Sequence, residues 1–258
     1  MTQKNIKTLF NKNIDGHQIT VEQSDQIVTL HFNNGLIQSQ INIDKPEELP
    51  LLGNRMMLSH LIFEPEPEQI LLAGCGGGAI ARWFNALLPQ CKGIAVENNE
   101  HVISIAKQYF KFPSEETNWS ITQADIRTYI KNTDTDFDFI LFDIEVNQQT
   151  PDWMIRTEFI QQCKDRLTAS GVITFNIVAR QNEDFAKALW PIRQIFPDST
   201  YCLANKESQN IMITAFKNKP DLKNIHIKAQ QAEETYHLNL EKFLAQIQKD
   251  NPPDSGVF

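Results

Sequence analysis

The sequence predicts an α/β protein: a doubly wound, mostly parallel sheet with a terminal β-hairpin, preceded by a small antiparallel β-domain. Three observations carry the prediction. From Gln69 onward short apolar runs alternate with stretches of helical spacing, the pattern of a parallel sheet with helices on both faces. Before that, apolar and polar residues alternate one by one, the period of half-buried strands. After the last helical stretch of the core, two strand patterns follow so closely that a hairpin joins them.

The early strands are HQITVEQ, IVTLHF and GLIQSQINI, and Asn33-Asn34-Gly35 between two of them is a turn signal because Asn and Gly tolerate positive φ. A helix is expected from about Pro50 to Phe63, followed by a Pro-rich joint, EPEPE. In the core, QILLAG leads through a glycine-rich turn into the helix AIARWFNALL, and GIAVE into HVISIAKQYF. WSITQAD and DIRTYIKN form a weaker strand and a short helix. DFILFD, a helix from roughly Arg156 to Leu167, and GVITFNIV come next. A helix near DFAKALWPIRQIF precedes the strands TYCLAN and NIMITAF. A terminal hairpin at the sheet edge marks class I methyltransferase-like folds among doubly wound sheets. The expected division is 1–49 as the small β-domain, 50–218 as the core and 219–258 as a polar, partly helical tail, frayed at NPPDSGVF. AEETYHLNLEKFLAQIQ is either a surface helix or a face for a partner subunit. Trp83, Phe84 and Trp190 stand at helical spacings and are expected in the core.

The formal net charge of −8 and pI near 5.3 argue against nucleic acid and anionic membrane as partners and suit a small cation. No apolar stretch has the length of a membrane span, and the N-terminal MTQKNIKTLFNKN lacks the apolar run of a signal peptide. The four cysteines are far apart, without a CxxC pair, and read as reduced thiols of a cytoplasmic protein. The histidines have no ligand spacing, so no metal is expected.

Chemistry concentrates at the ends of the core strands, where doubly wound sheets bind ligands. Gly74-Cys75-Gly76-Gly77-Gly78 lets the backbone approach a ligand and turn into a helix, and Gly74, Gly76 and Gly78 are the candidate contacts. A structural turn or a dinucleotide site would read alike. Glu97 ends the second core strand, where a carboxylate can accept both hydroxyls of a ribose, in a nicotinamide or a sulfonium nucleoside alike, or else stands as a solvated strand end. Asp125 ends the third, where methyltransferase-like sites carry a carboxylate that accepts from the adenine amino group, and Asp143 ends the fourth. Asp138, one strand-length before Asp143, reads as a cap at the strand's start. Cys75, at a helix N-terminus, reads as a somewhat acidic thiol.

In order and spacing, ILLAGCGGG, IAVE, QAD, FDFILFD and LTASGVITFN resemble the spermidine synthase family, as do the N-terminal strands. The resemblance covers roughly residues 15–217; GLIQSQ resembles the family's short strand before its helix, and His60 matches a histidine of that helix. It implies a sulfonium-binding core. Decarboxylated S-adenosylmethionine would be the co-substrate, its aminopropyl group passing to a small-molecule polyamine amine such as putrescine and leaving methylthioadenosine. Asp143 would be the catalytic aspartate, Glu97 would hold the ribose and Asp125 the adenine, and a homodimer is implied by analogy.

The chain departs from the family at several places. The family loop usually reads GGGDGG, and its aspartate, which discriminates against intact S-adenosylmethionine, is here Gly77. After Asp143 the family's second aspartate and Gly-Pro gate are replaced by Ile144-Glu145-Val146-Asn147-Gln148-Gln149, in which Glu145 is a partial substitute one position out of register. A Tyr-Gln pair for the polyamine is replaced by Asn54 and Arg55, and Gln18 lies near a family glutamine that touches the donor. Arg55, Glu145 and Trp153 are the candidate acceptor-site residues; Trp153, shortly after Pro151, either lines that pocket or packs on the sheet edge. Three readings stand: the aminopropyltransferase, an S-adenosylmethionine-dependent methyltransferase of an unknown small molecule, in which Arg55 pairs with a carboxylate, and a non-catalytic nucleoside-binding or dimerisation protein.

Overall fold

The computed structural model describes residues 6–258 apart from 15, 34, 65, 114, 115 and 206, so Asn34 of the expected turn and Pro65 of the expected joint lie outside the described residues. The N-terminal strands β1 (Ile6–Ile14), β2 (His17–Ser24), β3 (Ile27–Phe32) and β4 (Leu36–Asn42) pair in sequence order, each antiparallel to the next. β1 escapes the sequence pattern because it has no fully buried position and exists through its pairing with β2. The inward residues Ile19, Val21, Val28, Leu30 and Ile41 pack with Ile105 and Phe110, so the small sheet is seated on the helix that follows the second core strand.

A helix α1 (Leu52–Met57) and a 3-10 turn (Ser59–Ile62) replace the single helix expected over Pro50–Phe63. The core then runs β5 (Gln69–Ala73), α2 (Ala79–Leu87), β6 (Lys92–Glu97), α3 (Glu100–Tyr109), β7 (Trp119–Gln123), α4 (Ile126–Asn132), β8 (Phe137–Phe142), α5 (Thr157–Asp165), β9 (Leu167–Val178), α6 (Asn182–Ile195), β10 (Thr200–Ala204) and β11 (Asn210–Phe216). Its sheet has the order β10-β11-β9-β8-β5-β6-β7, with β11 antiparallel to both β9 and β10 and the other pairs parallel. Central strands are apolar on both faces, as in Ile70 to Ala73, because helices cover both sides. Asp138 clasps three strand starts: its carboxylate accepts from Glu68 N (2.8 Å), Gln69 N (2.9 Å) and Thr168 Oγ1 (2.8 Å).

Two expectations are corrected. Trp83 and Phe84 are buried, but Trp190 is 77% exposed. Ala188 and Ile192 set the inward stripe of α6, and a residue two positions from each lies on the opposite face. The C-terminal segment is neither frayed nor a free face for a partner. The apolar faces of α7 (Ile225–Tyr236) and α8 (Leu240–Asp250) are buried against the chain's own core. Beyond them Asn251 accepts from Cys202 N (2.8 Å) and donates to Cys202 O (2.7 Å), and Val257 N donates to Thr200 O (2.9 Å). The tail thereby satisfies the outer edge of β10, which would otherwise present unpaired backbone groups. Among the described residues no helix is long and apolar enough to cross a membrane.

Candidate functional site

The sheet order reverses between β5 and β8, and there the chain leaves β5 at Gly74 with φ +84°. A Cβ on Gly74 would stand 2.5 Å from the Asp143 carbonyl oxygen, so these two strand ends close together only with glycine. Four of the five loop N–H groups are used inside the protein. Gly74 N donates to Val96 O (2.9 Å), Cys75 N to a Glu97 carboxylate oxygen (3.2 Å), Gly77 N to Ser39 Oγ (2.7 Å) and Gly78 N to Cys75 O (2.7 Å). Ser39 comes from β4, so the small sheet helps to shape the loop. A side chain at Gly77 has no room: its Cβ would lie 2.7 Å from the Phe110 ring and 2.9 Å from Ser39. Beneath the loop the buried Arg82 donates through Nη1 to Gly77 O and Phe110 O, and through Nε to Pro46 O. Burial lowers its pKa to about 10, which leaves it cationic at neutral pH.

Three strand-end carboxylates converge beside this loop. Glu97 accepts from Cys75 N and from Asn99 N (2.9 Å), which fixes its orientation from two sides. Asp125 is the N-cap of α4, accepting from Arg127 N (2.8 Å), and is paired with the Arg127 side chain, Nε to Oδ1 2.9 Å. The hydrogen bond from that side chain holds the Asp125 carboxyl below its usual range. The Arg127 guanidinium lies 5.2 Å from the centre of the Trp153 ring, which packs edge-on against Phe159. Asp143 follows β8 on the cavity wall. Its side chain is open to the cavity but surrounded by protein, and this burial raises its carboxyl above the usual aspartate range. Opposing that, Asn176 Nδ2 donates to its Oδ1 at 2.8 Å. Glu145 is also raised, by burial and then by the nearby Asp143 charge, with Arg180 acting in the other direction.

The segment after Asp143 turns over the cavity through Asn147 (φ +52°) and Gln148 (φ +59°), with Val146 and Gln149 exchanging backbone hydrogen bonds of 3.0 Å. Arg180 Nη2 donates to Gln148 O (3.0 Å) and Val178 N to Thr150 Oγ1 (2.8 Å), so the end of β9 anchors the turn.

The resulting cavity has a volume of about 810 Å³. Of the sequence-selected residues it brings together Gly74, Gly76, Glu97, Asp125, Asp143, Glu145 and Trp153. Trp153 lines the cavity and packs on Phe159 of α5 and the Arg127 side chain of α4. Gly78 does not line it, because it is the N-cap of α2 and faces the Phe112 ring. Arg55 is also absent from the lining. Its neighbour Asn54 on α1 instead lines, with Asp143, Ser39 and Met57, a second space of about 20 Å³. The Gln18 amide turns to Asn11, while Gln38 of β4 lines the cavity wall. Sequence reading missed Gln38, His17, Asn33 and Arg127; the polar positions of the alternating strand GLIQSQ were the available signal for Gln38.

Cys75 is not an acidic thiol: burial, and then the Glu97 charge, push it well above the ordinary value. His60 is fully buried beside Phe139 at 4.2 Å between ring centres, and desolvation lowers its pKa to about 3, so it is a neutral core group.

The model of the methyltransferase small domain family matches residues 50–211. A polyamine aminopropyltransferase of Neisseria meningitidis serogroup A is 28% identical over 245 residues, 93% of each chain. The fold superposes on a probable spermidine synthase from Corynebacterium glutamicum with a TM-score of 0.74, at 17% identity and over 94% of each chain. It also superposes on human methyltransferase-like protein 13 in complex with SAH, with a TM-score of 0.62 at 22% identity, over 72% of this chain and 89% of that one. The likeness to aminopropyltransferases thus extends through both sheets, and the match over more than half of its length makes the chain a member of the methyltransferase small domain family.

Proposed function

We propose that the chain transfers an aminopropyl group from decarboxylated S-adenosylmethionine to a polyamine amine of the putrescine class, releasing methylthioadenosine. One observation carries the reading: a single cavity gathers Glu97, Asp125, Asp143 and Glu145, against which the basic lining residues are His17 and Arg127, the latter paired with Asp125. Such a wall suits a cationic sulfonium and an ammonium-bearing acceptor. Its volume falls within the roughly 300–1,000 Å³ typical of small-molecule sites. The likeness to aminopropyltransferases supports the same reading.

The residues present fit the donor. Glu97, fixed by two backbone amides, would accept from the ribose hydroxyls, and Asp125 from the adenine amino group once Arg127 yields. The sulfonium makes its neighbouring carbon electrophilic and its sulfur a good leaving group. The acceptor nitrogen forms a bond to that carbon while the carbon–sulfur bond breaks, its electron pair passing to sulfur. Asp143 takes the proton released from nitrogen and holds the acceptor in line.

A second reading, methyl transfer from S-adenosylmethionine, is favoured by Gly77. The loop carries no carboxylate there, and Phe110 and Ser39 fill the space, so this position does not repel an intact donor. Calorimetry with the two donors separates the readings. Preference for the decarboxylated donor supports aminopropyl transfer, equal or tighter binding of S-adenosylmethionine supports methyl transfer, and binding of neither overturns both.

A further inference from the structure

We propose that Asn176, oriented by Asn210, is a positioning residue that fixes Asp143 in the cavity wall and keeps one of its carboxylate oxygens free for the substrate. The inference rests on the reading of Asp143 as the proton acceptor.

The two asparagines are half-buried, near the end of β9 and at the start of β11. In β9 the residues flanking Asn176, Phe175 and Ile177, are fully buried and apolar. Asn176 points the other way, on the face where Thr174 meets Thr214 of β11 at 3.0 Å between hydroxyls. β9 and β11 pair with Met212 opposite Asn176, which puts Asn210 diagonally across from it. A chain of hydrogen bonds follows. Ser208 Oγ donates to Asn210 Oδ1 (2.9 Å), Asn210 Nδ2 to Asn176 Oδ1 (2.9 Å), and Asn176 Nδ2 to Asp143 Oδ1 (2.8 Å).

An ionised Asp143 can only accept, so the Asn176 amide turns its NH₂ to Oδ1 and its oxygen to Asn210 Nδ2. Reversed, its oxygen would face the Asp143 carboxylate and its NH₂ would face the NH₂ of Asn210, two contacts without a hydrogen bond. A donor is therefore held permanently against Asp143 Oδ1, where it favours the charged form against the effect of burial. Oδ2 has no hydrogen bond among the described residues. The other groups around Asp143 supply no cation: Glu145 on its own segment is a carboxyl, Cys75 on the loop is a thiol, Asn54 on α1 is an amide, and Arg180 acts on Glu145.

The test is a ¹³C NMR titration of the Asp143 carboxyl in the wild type, Asn176→Ala and Asn210→Ala, together with the pH dependence of kcat/KM. Loss of the Asn176 donor is expected to raise the Asp143 titration point, and with it the acid limb, by about one pH unit. Asn210→Ala, which lies off the cavity wall, is expected to give a smaller shift in the same direction. An Asp143 carboxyl that titrates at the wild-type pH in both variants, with native circular dichroism, would overturn the proposal. If Asn176→Ala fails to fold, Asn210→Ala alone decides. The NMR readout needs no turnover, so if Asp143→Asn retains activity the catalytic reading falls while the relay is still judged by the titration.

Discussion

The carboxylates at the ends of β6 and β7 and the one at the end of β8 line the same cavity but are built differently. Glu97 is held by the N–H of Asn99, two residues on, and by the adjacent glycine loop; Asp125 is held by the backbone and side chain of Arg127, also two residues on. Asp143 receives its donor from a residue 33 positions away, itself oriented by one 34 positions further along. Backbone donors fix the carboxylates of Glu97 and Asp125 in place. A lone side-chain donor opposes the effect of the surrounding protein at Asp143, whose carboxyl stands above the usual aspartate range. On the proposed function, the two halves of the cavity divide binding from proton transfer.

The strongest way to break this comparison is Asp143→Asn. Turnover is expected to fall by about 10²–10⁴-fold, while calorimetric affinity for methylthioadenosine stays within about twofold. Equal losses in both would erase the division. On the proposed mechanism the Asp143 carboxylate is the active form, and its pKa is raised, so kcat/KM is expected to decline as the pH falls through a point above the ordinary 3.8 of aspartate. Glu97→Gln should act in the opposite sense. It weakens a charged partner of the ribose, with an expected loss of nucleoside affinity of about 10–100-fold for charge-assisted bonds worth about 1.5–3 kcal/mol.

Gly77→Asp tests whether the loop has room for the carboxylate it lacks. Contact with Phe110 and Ser39 is expected to lower stability by about 1–3 kcal/mol, read as a lower midpoint in urea. An unchanged midpoint would mean that the loop rearranges freely. The smallest effect is expected of Arg127→Ala, which frees Asp125 from an exposed ion pair worth about 0.2–1 kcal/mol. Nucleoside affinity should rise by less than about fivefold, and a marked fall would show that Arg127 itself holds the base.

The same contrast explains what was legible in the sequence. The alternation of apolar runs and helices, the glycine turn and the strand-end acids are local patterns, and they yielded the sheet and its carboxylates. Asn176 was hidden because its role depends on pairing between strands far apart in the chain. Trp190 was misplaced because helical spacing gives a periodicity without saying which stripe faces inward, and here Ala188 and Ile192 define it. The terminal NPPDSGVF looked frayed because its partner, the open edge of β10, exists only after folding. Cys75 was misjudged since its burial and the facing Glu97 are tertiary features.

The most direct test of aminopropyl transfer is to incubate the purified chain with decarboxylated S-adenosylmethionine and putrescine and to follow both products by mass spectrometry. Methylthioadenosine and an aminopropylated amine should appear in equal amounts, and both should vanish with Asp143→Asn. No product from this pair, with S-adenosylhomocysteine formed when S-adenosylmethionine is the donor, would contradict the account and assign the cavity to methyl transfer.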